Sequence, residues 1–203
     1  MKLVLASSNR GKLDELRALL SGTAVELTVQ SDLGVGDADE TASTFVENAL
    51  IKARHACQAT GLPALADDSG LCVDALQGAP GLYSARYAGV QGDAEANIDK
   101  LLHALRGVPD EQRSAHFHCV LVLLRHAGDP QPLIVEGTWR GRILRERRGT
   151  GGHGYDPVFF DPVQRQSAAD MPLALKNRIS HRGQALAVLK TKLSEGSHQS
   201  DRT

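Results

Sequence analysis

A short apolar run, Leu3-Val4-Leu5-Ala6, stops at Ser7-Ser8-Asn9-Arg10-Gly11-Lys12, and leucines then recur at positions 13, 16, 19 and 20. An unbroken run fits a strand, whereas the later spacing places side chains on one helical face, so the chain opens with strand, polar turn and helix. A chain that begins this way buries a sheet against helices, which predicts the α/β class.

The same signals carry the reading onward. Residues 25–29 predict a second strand. Residues 44–59 predict a helix with Phe45, Ala49, Ile51, Ala53 and Ala56 toward its buried side, Ser43 or Thr44 as N-cap and Gly61 as its stop. Residues 62–66 and 71–75 read as short strands flanking an acidic turn, Asp67-Asp68-Ser69-Gly70. Residues 78–92 form a structured loop rich in glycine, and residues 94–105 a helix. The alternation of Ala115, Phe117, Cys119, Leu121 and Leu123 with their neighbours predicts a long strand, with residues 133–139 as its hairpin partner. A glycine-rich loop spans residues 149–154, a last helix residues 182–193, and residues 194–203 a polar, disordered tail. No repeat or linker divides the chain, so residues 1–193 read as one domain with a mixed sheet.

Composition excludes several classes. Hydrophobic residues make up 41% and charged residues 23%, the balance of a globular protein. A net charge of −1 supplies no field toward nucleic acid or an anionic membrane, so any phosphate is held by local groups. The opening apolar run is shorter than a signal peptide requires, and no stretch reaches membrane-helix length. Three widely spaced cysteines, Cys57, Cys72 and Cys119, fit reduced, mostly buried thiols in a cytoplasmic protein.

Four segments can carry chemistry. Ser7 to Lys12 opens a helix directly after a strand, where unpaired N–H groups and the helix dipole suit a phosphate and Lys12 adds a point charge; a capped turn with a solvated lysine is the alternative. Asp39, Glu40, Asp67 and Asp68 offer the one or two carboxylates that magnesium on a phosphate takes, against the alternative of solvated loop charge. Gly149-Thr150-Gly151-Gly152-His153-Gly154-Tyr155-Asp156-Pro157 places an imidazole and a phenol beside a carboxylate, able to stack on and read a purine, or else forms a flexible hairpin. Lys176 and Ser180-His181-Arg182 offer donors for an anion near a helix start, although basic residues at helix ends are common.

In order and spacing these segments resemble the inosine triphosphate pyrophosphatase family. The likeness rests on Leu5-Ala6-Ser7-Ser8-Asn9-Arg10-Gly11-Lys12, Glu40-Thr41, Phe45-Val46-Glu47-Asn48-Ala49, Lys52-Ala53, Ala66-Asp67-Asp68-Ser69-Gly70-Leu71, Gly78-Ala79-Pro80-Gly81-Leu82-Tyr83-Ser84-Ala85-Arg86-Tyr87, Gly154-Tyr155-Asp156-Pro157 and Ser180-His181-Arg182-Gly183. The resemblance implies a two-lobed α/β/α fold with a long central sheet, a homodimer, and a nucleotide cleft with magnesium at the triphosphate. It implies hydrolysis of dITP, ITP or XTP to monophosphate and pyrophosphate. Carried over by position, Ser7, Ser8, Asn9, Arg10, Gly11 and Lys12 match the triphosphate loop, Glu40 and Asp68 the metal ligands, and Asp68 also the proton acceptor. Ser69 and Lys52 match contacts near the phosphates, and His153, Gly154, Tyr155, Asp156, Lys176, His181 and Arg182 match nucleobase and phosphate contacts. At His153 the family usually has phenylalanine, whose ring stacks on the base; imidazole is smaller and titrates near neutral pH. Two other readings stay open: a related pyrophosphatase acting on pyrimidine nucleotides, and a nucleotide sensor without turnover.

Overall fold

The computed structural model describes residues 2–8, 10–20, 22 and 25–199, with the side chains of residues 10, 11, 14, 15, 19 and 196–199 outside that description. Seven strands form one mixed sheet in the order β2-β1-β3-β4-β5-β6-β7. These are β1 (Lys2–Leu5), β2 (Glu26–Val29), β3 (Ala64–Val73), β4 (Ser114–Leu124), β5 (Leu133–Ile143), β6 (Phe159–Asp161) and β7 (Gln166–Ser167). β1 pairs in parallel with β2 and β3, whereas β6 is antiparallel to both β5 and β7. The chain divides into two compact units: the first takes the chain up to Asp68, Cys119–Gly137 and Arg182 onward, and the second takes Ser69–His118 and Thr138–His181.

In the first unit the sheet is covered on both faces. Leu13, Leu16 and Leu20, from α1 (Arg10–Leu19) and the residue after it, pack with Leu186 and Leu189 of α5 (His181–Gln199) on Leu3, Leu5, Leu65 and Leu121. On the opposite face, Ala49, Ala53 and Ala56 of α2 (Phe45–Thr60) pack on Val4, Ala6, Ala64, Ala66 and Val120. The alternation is the period of two of the strands. α2 forms where expected. Thr44 is its N-cap and accepts from the Glu47 backbone N–H, while its hydroxyl donates to the Glu47 carboxylate at 2.7 Å. Its buried face holds Asn48 and Lys52 as well as the alanines, whereas Ile51 is half-buried.

The second unit packs α3 (Ala94–Ala104), through Ile98 and Leu101, against Leu71, Val73, Phe117, Trp139 and Phe159. The Trp139 indole donates to Asp161 at 2.8 Å. α4 (Leu173–Ile179) precedes α5.

Two expectations change. Residues 67–70 form no turn: β3 runs unbroken from Ala64 to Val73, because both carboxylates meet cations where they stand and so lose the desolvation penalty that argued for exposure. Gly70 suits the strand interior because a Cβ there would come closer than 3.0 Å to the Gly81 carbonyl. The last helix also runs past Leu193 to Gln199, since each added residue extends a helix already nucleated, and Ser194 donates back to the Lys190 carbonyl. Residues 200–203 of the expected tail lie outside the described residues. Among the described residues, no helix is long and apolar enough to cross a membrane.

Candidate active site

Consecutive side chains of β3 point to opposite faces of the sheet, and this separates Asp67 from Asp68. Asp67 follows Leu65 toward α1 and α5, where its carboxylate receives the Lys12 ammonium at 2.7 Å and Arg182 Nε at 2.7 Å. Asp68 follows Ala66 toward α2, where the Lys52 ammonium reaches its Oδ1 at 2.8 Å, Glu40 Oε1 at 2.9 Å and the Asp67 carbonyl at 2.9 Å. Two adjacent residues therefore serve two different charge sets. The first holds two cations against one carboxylate, the second two carboxylates against one ammonium.

Burial gives these sets their strength. Asp67 is 1% exposed, and burial alone would push its carboxyl up; Arg182 and then Lys12 outweigh that and hold it well below the usual carboxylate range. For Asp68 burial wins: its carboxyl is pushed up, although Lys52 opposes the shift. Burial also disfavours the Lys52 ammonium, but Asp68 and Glu40 reverse the effect and raise its pKa. The four-carbon stem of Lys52 lies on the alanine face of α2, which directs its charge to Asp68.

The Asp68–Glu40 set fits a hard divalent ion. Asp68 Oδ2 is buried and has no hydrogen-bond partner among the described residues, so one lone-pair-bearing oxygen is left over after Lys52 is satisfied. Among the described residues no third His, Cys, Asp or Glu joins the pair, a donor supply suited to an ion that retains several waters.

Around α1, Ser8 donates its hydroxyl to Asp37 at 2.8 Å, and Gln30 donates to the same oxygen at 2.6 Å. Asp37 thus holds the loop that precedes the helix start. Asn9 lies outside the described residues, and Arg10 and Gly11 are placed by backbone alone, in the first turn of α1. Ser7 keeps its backbone N–H on the Leu5 carbonyl.

In the second unit the glycine loop is a built structure. Asp156 is buried, and its Oδ2 accepts the His153 backbone N–H at 2.7 Å and the Lys176 ammonium. Gly152 has φ +73°, and a Cβ there would come closer than 3.0 Å to the same carboxylate. Tyr155 is buried and donates its hydroxyl to the Ser84 carbonyl at 2.9 Å. His153 is exposed, Ser69 is half-buried in β3, and His181 stacks on Phe117 with ring centroids 4.9 Å apart and planes 13° apart.

Residues singled out in the sequence meet in three groups, Lys12 with Asp67 and Arg182, Lys52 with Glu40 and Asp68, and Lys176 with Asp156 and the His153 backbone, whereas Ser8, Tyr155 and His181 have other partners. Asp39 joins none of them. Sequence reasoning missed the separate duty of Asp67, which the strand period signals, and the roles of Asp37, Ser84 and Phe117, for which no local pattern exists.

Residues 3–192 match the Ham1 family. A dITP/XTP pyrophosphatase of Xanthomonas oryzae pv. oryzae is 66% identical over 191 residues, covering 94% of this chain and 96% of that protein. One from Shigella flexneri is 57% identical, covering 96% of this chain and 99% of that protein. Among solved structures, a HAM1 protein from Coxiella burnetii superposes with a TM-score of 0.91 at 51% identity, covering 96% of this chain and 99% of that one. The Staphylococcus aureus Ham1 protein gives 0.87 at 37% identity, covering 97% of this chain and 100% of that one.

Proposed function

This chain belongs to the Ham1 family, and from that premise we infer how its two charge sets divide the work. The protein is a nucleoside triphosphate pyrophosphatase: it hydrolyses non-standard purine triphosphates, dITP, ITP and XTP, to the monophosphate and pyrophosphate. The observation that carries the chemistry is the split at β3, a surplus of positive charge around Asp67 beside a surplus of negative charge around Asp68. The first suits phosphate oxygens and the second a cation.

Magnesium is proposed as the ion, held by Glu40 and Asp68; when bound it supplies charge compensation for the pyrophosphate leaving group. Asp68 orients the attacking water and takes its proton, with attack in line on the α-phosphorus. Burial raises the Asp68 carboxyl above its ordinary value, which makes the carboxylate a stronger base than an exposed one and suits it to take a proton. Lys52 keeps Asp68 in place, and Lys12 neutralises phosphate oxygens at the start of α1.

The nucleobase contacts are proposed on the family likeness. The 6-keto edge of hypoxanthine or xanthine accepts hydrogen bonds from protein N–H groups. Adenine presents a donor there and leaves them unmatched, at a cost of about 1–3 kcal/mol for each buried group. A cytoplasmic location accords with three free cysteines, and the net charge of −1 accords with no role on nucleic acid. A homodimer is proposed on the resemblance, to be checked by light scattering.

The test is pyrophosphate release from a panel of standard and deaminated triphosphates, pyrimidines included, with and without magnesium. Release from dITP, ITP and XTP that requires the metal and is lost in Asp68→Asn is expected. Orthophosphate in place of pyrophosphate would sink attack at the α-phosphorus, and an active Asp68→Asn would remove Asp68 from the chemistry.

A further inference from the structure

On the face of β3 that carries Asp67, the other fully buried positions are apolar, Leu65, Leu71 and Val73, with the small, half-buried Ser69 between them. A leucine at 67 would continue that face, and replacing a buried ion pair by apolar side chains is often neutral or stabilising. A carboxylate that can be dispensed with for packing needs another reason to be there.

Its contacts supply one. Asp67 Oδ1 accepts Lys12 Nζ at 2.7 Å and Arg182 Nη2 at 3.4 Å, while Oδ2 accepts Arg182 Nε at 2.7 Å and the Cys119 thiol at 3.5 Å. The side chain is wholly shielded from solvent, so it cannot itself meet a nucleotide. It takes one of the three ammonium hydrogens of Lys12 and two of the five guanidinium hydrogens of Arg182, fixing two long side chains that would otherwise sample many rotamers. Lys12 lies in the first turns of α1 and Arg182 in the first turn of α5, so one carboxylate sets the cations at two helix starts.

We propose that Asp67 is a positioning residue for triphosphate hydrolysis, holding Lys12 and Arg182 at a fixed separation as a two-cation clamp for phosphate oxygens. Asp67 acts through these side chains and never touches the reacting atoms. The inference rests on the pyrophosphatase reading above and extends it to a residue that neither binds the ion nor moves the proton. The Cys119 thiol adds a contact to Oδ2 and so limits the carboxylate's rotation.

The test is a double-mutant cycle on kcat/KM for dITP with Asp67→Asn, Lys12→Ala and the double variant, each confirmed folded by Trp139 fluorescence. Because Asp67 acts through Lys12 and Arg182 together, its effect shrinks once Lys12 is gone. The double variant should therefore keep at least about threefold more kcat/KM than the product of the two single effects, while Asp67→Asn alone falls by about tenfold or more. Multiplying effects, as a purely structural Asp67 would give, overturn the proposal. If Asp67→Asn does not fold, a Lys12→Ala and Arg182→Ala cycle with Asp67 intact takes its place. Coupling between the two cations through their shared carboxylate is then expected, and strict additivity overturns it. No pyrophosphate release by the wild-type protein would sink the functional reading, whereas normal release with additive variants would sink the clamp alone.

Discussion

Gly152 and Gly154 both hold positive φ, at +73° and +61°, but differ in what a methyl group would meet. At Gly154 an added Cβ has nothing within 4 Å, so Gly154→Ala carries only the left-handed backbone cost, about 1–2 kcal/mol. At Gly152 the Cβ would press on the Asp156 carboxylate, which must then leave the His153 N–H or the Lys176 ammonium. A charge-assisted bond to a buried carboxylate contributes about 1.5–3 kcal/mol, so Gly152→Ala should cost about 2.5–5 kcal/mol. Urea unfolding of the unliganded variants, with the slope checked for constancy, measures both. The extra loss at Gly152 should disappear in an Asp156→Ala background, where no carboxylate is left to displace. Losses at the two glycines that agree within about 0.5 kcal/mol would refute the argument, because the loop would then be yielding freely.

Asp67→Asn should lower stability at neutral pH by about 3–5 kcal/mol, because Arg182 stays buried without this carboxylate. Since the folded-state carboxyl lies well below 3.8, the wild-type advantage is present above that pH and drains away as acid carries the solution down through the lowered value; parallel acid titrations of unfolding check it. Trp139→Phe strips the indole donor from buried Asp161 and should cost about 1–3 kcal/mol, read by circular dichroism because the chain's single tryptophan is then gone. Burial pushes all three thiols up, so none should react quickly in the native protein; half-buried Cys72 should be alkylated first and Cys119 only on unfolding, as mass spectrometry of timed samples would show.

The sequence made the opening strand, turn and helix legible because apolar spacing changes from a run to a helical period at Lys12. The start of α2 was legible because Thr44 and Glu47 stand three apart. β3 was not, for a physical reason: Asp67-Asp68-Ser69-Gly70 has low intrinsic strand preference, and what overrides it comes from far along the chain. Lys12 is 55 residues from Asp67 and Arg182 is 115 away, distances at which no local pattern operates. Residue types at the site were therefore readable, since acids and lysines near a helix start suit phosphate chemistry. Their pairing was not. The strand period could have separated Asp67 from Asp68, had the segment not been read as a turn. The glycine loop left a flexible hairpin open as a reading, because the Asp156 carboxylate that Gly152 approaches and His153 N–H donates to cannot be assigned from glycine spacing alone.

The alternation along β3 also fixes how the chain must be threaded. β1 aligns Val4 with Ala64 and Leu5 with Leu65, so every later side chain of β3 is committed to a face. A slip of one residue would turn Asp68 toward Lys12 and Arg182 and leave Lys52 and Glu40 facing Asp67 or Ser69, while Leu65 and Ala66 exchanged volumes in two packed cores. Such a misthreaded strand would be penalised in charge and in packing at once. Adjacent aspartates bonded to opposite sides thus act as a proofreading mark for assembly of the sheet, and a single-residue deletion between Leu65 and Asp67 should be far more damaging than any substitution there.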